Sequence, residues 1–433
     1  MPKVAFYTLG CKVNQYESDA MAELFKERGY EIVDFETKAD VYVINTCDVT
    51  NESARKSRQM IRKASRINPH ARVAVVGCYA QLESSEISRI PGVDVIVGTK
   101  DRRRIVDLVE ESIEKHKQIV AVEDIMKEKS FEEIAFKGLR QRTRAFLKIQ
   151  EGCNMFCSYC IIPYARGPVR SRPVESIIKE AQELAAEGFK EIVLTGIHLG
   201  LYGHDFGRKE HHLFEVISRL SRVEGIRRIR LSSIEALELT DEFLKGLAEL
   251  ENFCHHFHIP LQSGCDSVLA RMNRRYSTAQ FKERVDYIRE IMPDVSITTD
   301  VIVGFPGETR EEFDTTFNFI KEVGFSRLHV FPFSPREGTP AARMPDHVKK
   351  SVKDERTHRL IDLSRELERN FRQKFLGKTV EVLFEEKIDN NTYEGLTGNY
   401  MKVAVSSEEN LHNKLEQVIL RENGHDHLIG EIC

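Results

Sequence analysis

The sequence predicts a three-part α/β chain: an N-terminal domain on a parallel sheet, a partial barrel of six β/α units, and a small all-β barrel at the C-terminal end. Three observations carry this expectation. Short apolar runs alternate with amphipathic stretches through residues 1–135, the pattern of strands joined by helical crossovers. The same alternation restarts after a basic stretch and runs on through residue 333. Beyond a charged stretch at 349–375, short apolar runs are separated by Gly, Asn and Ser, as in a compact barrel that binds oligonucleotides. The boundaries are placed at 1–135, 136–374 and 375–433.

In the first part, strands are predicted at 3–9, 41–45, 72–76 and 92–97, each a short run rich in β-branched and aromatic residues. Helices are predicted between them at 17–28, 54–66 and 83–89, where apolar residues recur at three- and four-residue spacing. Asn68-Pro69-His70 and Pro91-Gly92 supply the breaks. In the second part, strands are predicted at 145–150, 191–194, 228–231, 257–259, 295–303 and 328–333. Helices fall at 174–188, 211–222, 240–250, 277–291 and 308–322, followed by one long charged helix at 349–375. Six such units make an arc narrower than the eight-strand barrel, with its chemistry expected at the strand C-termini. The tail carries strand patterns at 380–384, 392–396, 401–405 and 416–420.

Composition narrows the class. A chain of 433 residues that is 41% hydrophobic and 30% charged fits a soluble globular protein. No apolar run approaches the ~20 residues of a membrane span, so no membrane partner is expected. A net charge of −4 does not by itself call for a polyanionic partner, which leaves local basic clusters to contact any nucleic acid. The chain opens on the strand-like Val4-Ala5-Phe6-Tyr7 without a signal-peptide core, and its nine cysteines then predict a reducing cytoplasm.

The cysteines carry the chemistry. Cys153, Cys157 and Cys160 form a C-x3-C-x2-C loop, compact enough to wrap three thiolates round one inorganic centre. Soft thiolates suit an iron–sulfur cluster, whereas a structural zinc site would normally provide four ligands in two pairs. Cys11, Cys47 and Cys78 are scattered, yet each follows a predicted strand. In a parallel sheet the strand C-termini share one edge, so these three are expected to converge on a second site. The competing reading makes them small packing residues that finish strands. Cys254, His256 and His258 share one face of a predicted strand and are read as core or pocket lining. Cys265 and Cys433 are read as free thiols.

The run from Gly152-Cys153 through Ile161-Ile162-Pro163-Tyr164-Ala165 to Arg166-Gly167 resembles the radical S-adenosylmethionine (radical SAM) enzymes. With Thr8-Leu9-Gly10-Cys11-Lys12-Val13-Asn14-Gln15, Asn45-Thr46-Cys47, Gly77-Cys78 and Val303-Gly304-Phe305-Pro306-Gly307, nearly the entire chain resembles the methylthiotransferases of that superfamily. The tail is similar to their TRAM module. The resemblance implies two 4Fe–4S clusters, one on Cys153, Cys157 and Cys160 and one on Cys11, Cys47 and Cys78. S-adenosylmethionine is implied as both radical source and methyl donor. The run Gly10–Gln15 resembles the branch acting on N6-threonylcarbamoyladenosine beside the anticodon of tRNA; alternatives are N6-isopentenyladenosine and an aspartate of a ribosomal protein. A reducing partner such as flavodoxin or ferredoxin is implied as electron donor. Outside enzymes, the alternative is an RNA-binding protein whose cysteines hold structural metal.

Further candidates follow. Tyr159, Thr195, Gly196 and Gly304 are expected to contact the cofactor. Arg55, Lys56, Arg58, Arg62 and Lys63 on one helix, Arg140 and Arg142 in the basic stretch, and Arg166 and Arg170 by the thiol loop are expected on an RNA-facing rim. Arg172 and the group Arg271, Arg274 and Arg275 extend that rim. A target base must leave its stack to reach a radical, which favours a single-stranded loop as substrate.

Overall fold

A computed structural model describes residues 1–134, 143–207 and 212–433. Arg140 and Arg142 lie outside the described residues. The N-terminal sheet comprises β1 (Lys3–Thr8), β2 (Glu31–Val33), β3 (Val41–Thr46), β4 (Arg72–Gly77), β5 (Val95–Val97) and β6 (Ile119–Ala121). They run in the order β2-β1-β3-β4-β5-β6, every pair parallel. All six residues of β3 are buried, as a central parallel strand covered on both faces requires. Two short edge strands, β2 and β6, were not expected from the sequence. The first helix spans Lys12–Glu27 rather than starting near residue 17, so it opens directly after Cys11.

The second part holds β7 (Arg144–Lys148), a small hairpin of β8 (Gln150–Glu151) and β9 (Arg170–Ser171), then β10 (Glu191–Thr195), β11 (Arg228–Leu231), β12 (His256–His258), β13 (Ser296–Val303) and β14 (Arg327–Pro332). Two parallel sheets, β7-β10-β11 and β12-β13-β14, are joined by the bridges Ile229↔Phe253 and Ser233↔His258. The result is an open arc of six parallel strands. Alternate strand residues such as Ile192, Leu194, Ile229 and Leu231 join the helices in one large apolar cluster. Tyr16 and Ala20 of the first helix enter that same cluster, so the N-terminal part packs directly on the barrel. At the other edge, the helix Lys350–Gln373 lies against β14, where Ser364 accepts from the Leu328 amide at 3.0 Å.

The tail is a closed barrel of five strands, one more than expected: β15 (Thr379–Asp389), β16 (Thr392–Thr397), β17 (Lys402–Ser406), β18 (Leu415–Asn423) and β19 (Leu428–Ile432), closing in the order β15-β16-β17-β19-β18. It is docked onto the starts of the arc strands. Arg228 donates to the carbonyls of Leu396 at 2.8 Å and Glu381 at 2.7 Å, and Arg230 to that of Gly398 at 2.9 Å. Glu191 holds Arg230 at 2.7 Å, so the buried charge beneath this seam is matched.

Candidate functional site

Strand order 2-1-3-4-5 reverses direction between β1 and β3, and an α/β sheet offers its ligand crevice outside the carboxyl ends at such a switch point. Cys11 follows β1 and Cys47 follows β3, on the two sides of that switch. Thr46 pairs with Gly77, so Cys47 and Cys78 leave adjacent strands at one level. Asn14 ties the crevice together: its amide donates to Leu9 O at 2.8 Å and Thr46 O at 3.1 Å, while its Oδ1 lies 3.5 Å from Cys11 Sγ. Gly10, at φ +107°, leaves room that a Cβ would fill, 3.1 Å from Cys47 Cβ. The scattered triad is therefore brought to one edge, as expected.

The second triad sits on the loop after β8. Gly152, at φ +74°, lets the chain pass so close to the returning strand that a Cβ would overlap the Pro168 carbonyl. Cys153 donates its amide to Gly167 O at 3.1 Å, and Cys160 its own to Cys157 O at 3.0 Å, which closes the loop on itself. Arg274 Nη1 lies 3.4 Å from Cys157 Sγ and is ion-paired to Glu235. Replacing Gly152 with Val should open this loop. The expected result is loss of iron at this site only, with iron on the N-terminal triad retained; full iron content in the variant would contradict the packing.

In each triad burial disfavours the thiolate at two cysteines, Cys47 and Cys78 in one and Cys153 and Cys160 in the other. Burial pushes the Cys160 thiol up to about 12 and Cys153 to about 11, each helped by its neighbouring thiols. Burial also raises Cys78 to about 12, although Arg166 opposes it. Among the described residues no set of three or more His, Cys, Asp or Glu side chains is gathered tightly enough for a single metal ion. A cubane spreads its thiolates wider than one ion does, and iron supplies the missing positive charge. The all-thiol donor sets, held by the tight backbone turns at Gly10 and Gly152, therefore fit 4Fe–4S clusters.

A buried charged network joins the two sites. Arg166 is fully buried, its Nε 3.3 Å from Cys78 Sγ and its Nη2 donating to Asn14 Oδ1 at 2.7 Å. Its Nη1 bonds both Glu17 and Glu151 at 2.6 Å. Glu17 belongs to the helix after Cys11, and Glu151 stands two residues before Cys153. Lys148 and Arg102 complete the network, each pairing with both glutamates. Burial alone would raise the Glu17 carboxyl, but Arg102, Arg166 and Lys148 outweigh it and hold it at about 2.

This burial corrects the sequence reading of the rim. Arg166 and Arg170, expected to face RNA, are 0% and 2% exposed, and their guanidiniums serve Glu17, Glu151 and the Pro168 carbonyl. Arg172 is likewise inside, paired with Glu180. A phosphate cannot reach these groups. Arg55, Lys56 and Arg62 are exposed on the helix Asn51–Ile67, with Arg58 and Lys63 half-buried beside them. Their pairs, such as Arg55 with Glu52 at 2.6 Å, are solvated and weak enough to yield to phosphate. Arg275 is exposed beside the thiol loop, on a cavity of about 380 Å³ that Asn154, Met155, Glu235 and Arg274 also line.

Tyr159 packs against the apolar cluster of Val268, Met272, Phe305, Phe333 and Ala341. Thr195 ends β10, its hydroxyl donating to Val193 O at 3.1 Å, and a Cβ on Gly196 would meet Gln150 Oε1 at 2.9 Å. Gly304, at φ +69°, leaves space taken by the Lys353 side chain. Its amide donates at 3.1 Å to Glu308, itself buried on Arg356. Sequence reasoning missed Glu17, Lys148 and Glu151. A signal for Glu17 was present: it falls at the helical spacing of Val13 and Ala20, on a face that must be buried. It also missed His198, just after β10, whose two ring nitrogens are buried without partners.

Comparison with known proteins agrees with this geometry. Residues 147–320 match the radical SAM superfamily, and residues 3–98 match the uncharacterized protein family UPF0004. Over its full length the chain is 50% identical to the threonylcarbamoyladenosine tRNA methylthiotransferase MtaB of Bacillus subtilis, of which 96% is covered. The chain belongs to the radical SAM methylthiotransferase family. A second relative of the same name, from Aquifex aeolicus, is 42% identical over 93% of the chain and 96% of its own length. A tRNA-2-methylthio-N(6)-dimethylallyladenosine synthase from Methylacidiphilum infernorum is 33% identical over 98% of the chain and 94% of its own. Among solved structures, the radical S-adenosylmethionine methyltransferase TsrM of Kitasatospora setae aligns with a TM-score of 0.59 at 15% identity, covering 79% of the chain and 77% of its own. That likeness concerns the fold. Methylthiotransferases use two 4Fe–4S clusters and S-adenosylmethionine, and the two triads are the residues that fit them here.

Proposed function

We propose that this methylthiotransferase modifies carbon 2 of N6-threonylcarbamoyladenosine beside the anticodon of tRNA. The observation that carries the reaction is the buried network between the two triads, in which Arg166 touches Cys78 of one and bonds the carboxylate of Glu151, two residues before Cys153 of the other. Identity of 50% to a full-length protein named for that nucleoside selects the substrate. When bound, the clusters and S-adenosylmethionine supply a 5′-deoxyadenosyl radical, the sulfur atom and the methyl group, none of which protein side chains can provide.

The chain's own residues do the rest. Cys153, Cys157 and Cys160 hold one cluster and Cys11, Cys47 and Cys78 the other, with Arg166, Glu17 and Glu151 fixing their spacing. Tyr159, Thr195, Gly196 and Gly304 are assigned to the cofactor's surroundings. Arg55, Lys56, Arg58, Arg62 and Lys63 are assigned to phosphates of the anticodon arm, where such contacts position the RNA rather than read it. Residues 1–135 thus act as the sulfur-donating part, 136–374 as the radical part and 375–433 as an RNA-holding part. An electron donor of the flavodoxin or ferredoxin class in the cytoplasm completes the scheme.

Two measurements test it. Cys157→Ala should abolish reductive cleavage of S-adenosylmethionine and leave iron on the N-terminal triad; normal 5′-deoxyadenosine release would sink the assignment. Mass spectrometry of tRNA nucleosides from a strain lacking the gene should show the 2-methylthio form of threonylcarbamoyladenosine missing and the isopentenyl series intact.

A further inference from the structure

Between the first residues of the arc strands and the C-terminal barrel lies a cavity of about 490 Å³, a size usual for ligand sites. Its acids are already matched: Glu385 by Arg144, Glu394 by Lys402 at 2.7 Å, and Glu368 by Arg327 at 4.0 Å, while Glu386 is exposed to solvent. Three of its other basic side chains keep nitrogens without partners. The Lys12 side chain lines the cavity and makes no hydrogen bond or ion pair among the described residues. Arg372 keeps Nε and Nη1 buried without partners. His256, 4% exposed, has an unpartnered Nδ1, its Nε2 being 3.3 Å from Thr298 Oγ1. The uncompensated charge in this cavity is positive, and buried donors without acceptors are costly unless a ligand satisfies them.

Lys12 is the residue directly after Cys11, so this cationic wall begins beside the triad assigned to sulfur donation. The proposed nucleoside bears a threonyl carboxylate on N6, whereas the relatives named for dimethylallyladenosine act on a nucleoside with a neutral hydrocarbon there. A carboxylate is what must be recognised to separate the two. We propose that the cavity is a carboxylate subsite in which Lys12, with His256 beside it, receives the threonyl carboxylate of the target nucleoside. The proposal rests on the substrate reading above. Loss of a charge-assisted hydrogen bond in a buried site costs about tenfold or more in affinity.

The test uses the full-length cluster-loaded protein and anticodon stem-loops bearing threonylcarbamoyladenosine, its methyl ester or isopentenyladenosine. Dissociation constants are read by fluorescence anisotropy at fixed salt, and turnover by nucleoside mass spectrometry. The wild type should prefer the acid to the ester by about tenfold in both readouts. Lys12→Gln should erase that preference and raise KM for the acid far more than it lowers kcat, with Lys12→Arg recovering most of it. A wild type that takes ester and acid equally overturns the subsite, as does a Lys12→Gln variant that keeps the full preference. An effect confined to the KM for S-adenosylmethionine would assign the pocket to the cofactor's carboxylate and overturn it too. Should Lys12→Gln lose iron, the wild-type ratio of acid to ester still decides. Turnover of the isopentenyl stem-loop alone would overturn the substrate reading itself, a result distinct from the loss of charge preference.

Discussion

Replacing Cys47 with Ala is expected to abolish methylthiolation while leaving formation of 5′-deoxyadenosine intact. Cys47 stands in the middle of its triad, on the strand between those that lead to Cys11 and Cys78. Without it the N-terminal cluster has two thiolates and should be lost, lowering the iron content by about one cluster in two. The radical triad lies on a separate loop closed by its own hydrogen bonds, so it should load normally. Iron and sulfide assay, the yield of 5′-deoxyadenosine and the yield of methylthio nucleoside are read on one preparation. The split outcome matters, because a misfolded variant would lose both activities. Methylthiolation at the parent rate would remove the sulfur-donor assignment.

Arg166→Met should destabilise the protein by about 3–5 kcal/mol, since it leaves two buried carboxylates short of a partner at the junction of the two sites. Thermal denaturation of variant and parent measures it. An arginine whose only work was to hold RNA would weaken tRNA binding without moving the melting temperature. The same network sets an acid limit. Glu17 is held at about 2 in the folded protein against an ordinary value of 4.5. A depressed carboxylate contributes stability that is full above its unfolded value and is lost as pH falls through the folded one. Stability should therefore decline steeply from about pH 4.5 toward 2, and the decline should be shallower in Arg166→Met.

Much of this was legible in the chain because central parallel strands must be apolar on both faces. The pattern at 228–231 corresponds to β11, and each cysteine of the scattered triad does follow a strand. What escaped notice depended on distant partners. The helix after Cys11 begins at Lys12 without a side-chain cap, and polar Lys12, Asn14 and Gln15 give no apolar period there. The turn before it is held instead by Asn14 reaching Thr46, 32 residues on. Arg166 looked like a surface charge because its acid partner Glu17 is 149 residues away. Composition cannot distinguish an arginine meant for phosphate from one meant for a buried carboxylate; only the folded path between them can.

The guanidiniums of Arg228 and Arg230 grip main-chain carbonyls of the C-terminal barrel, and a carbonyl fixed in a strand or turn cannot swing aside as a side-chain acceptor can. That module is clamped to the floor of the arc instead of trailing on a tether. An RNA held by it would present its nucleotides at one set span from the thiol triads. Holding one end this way raises the effective concentration of a correctly placed base and lowers it for every other. With RNA so held, the seam would work as a ruler, and the length of the RNA arm would become a criterion of selection alongside the identity of its base.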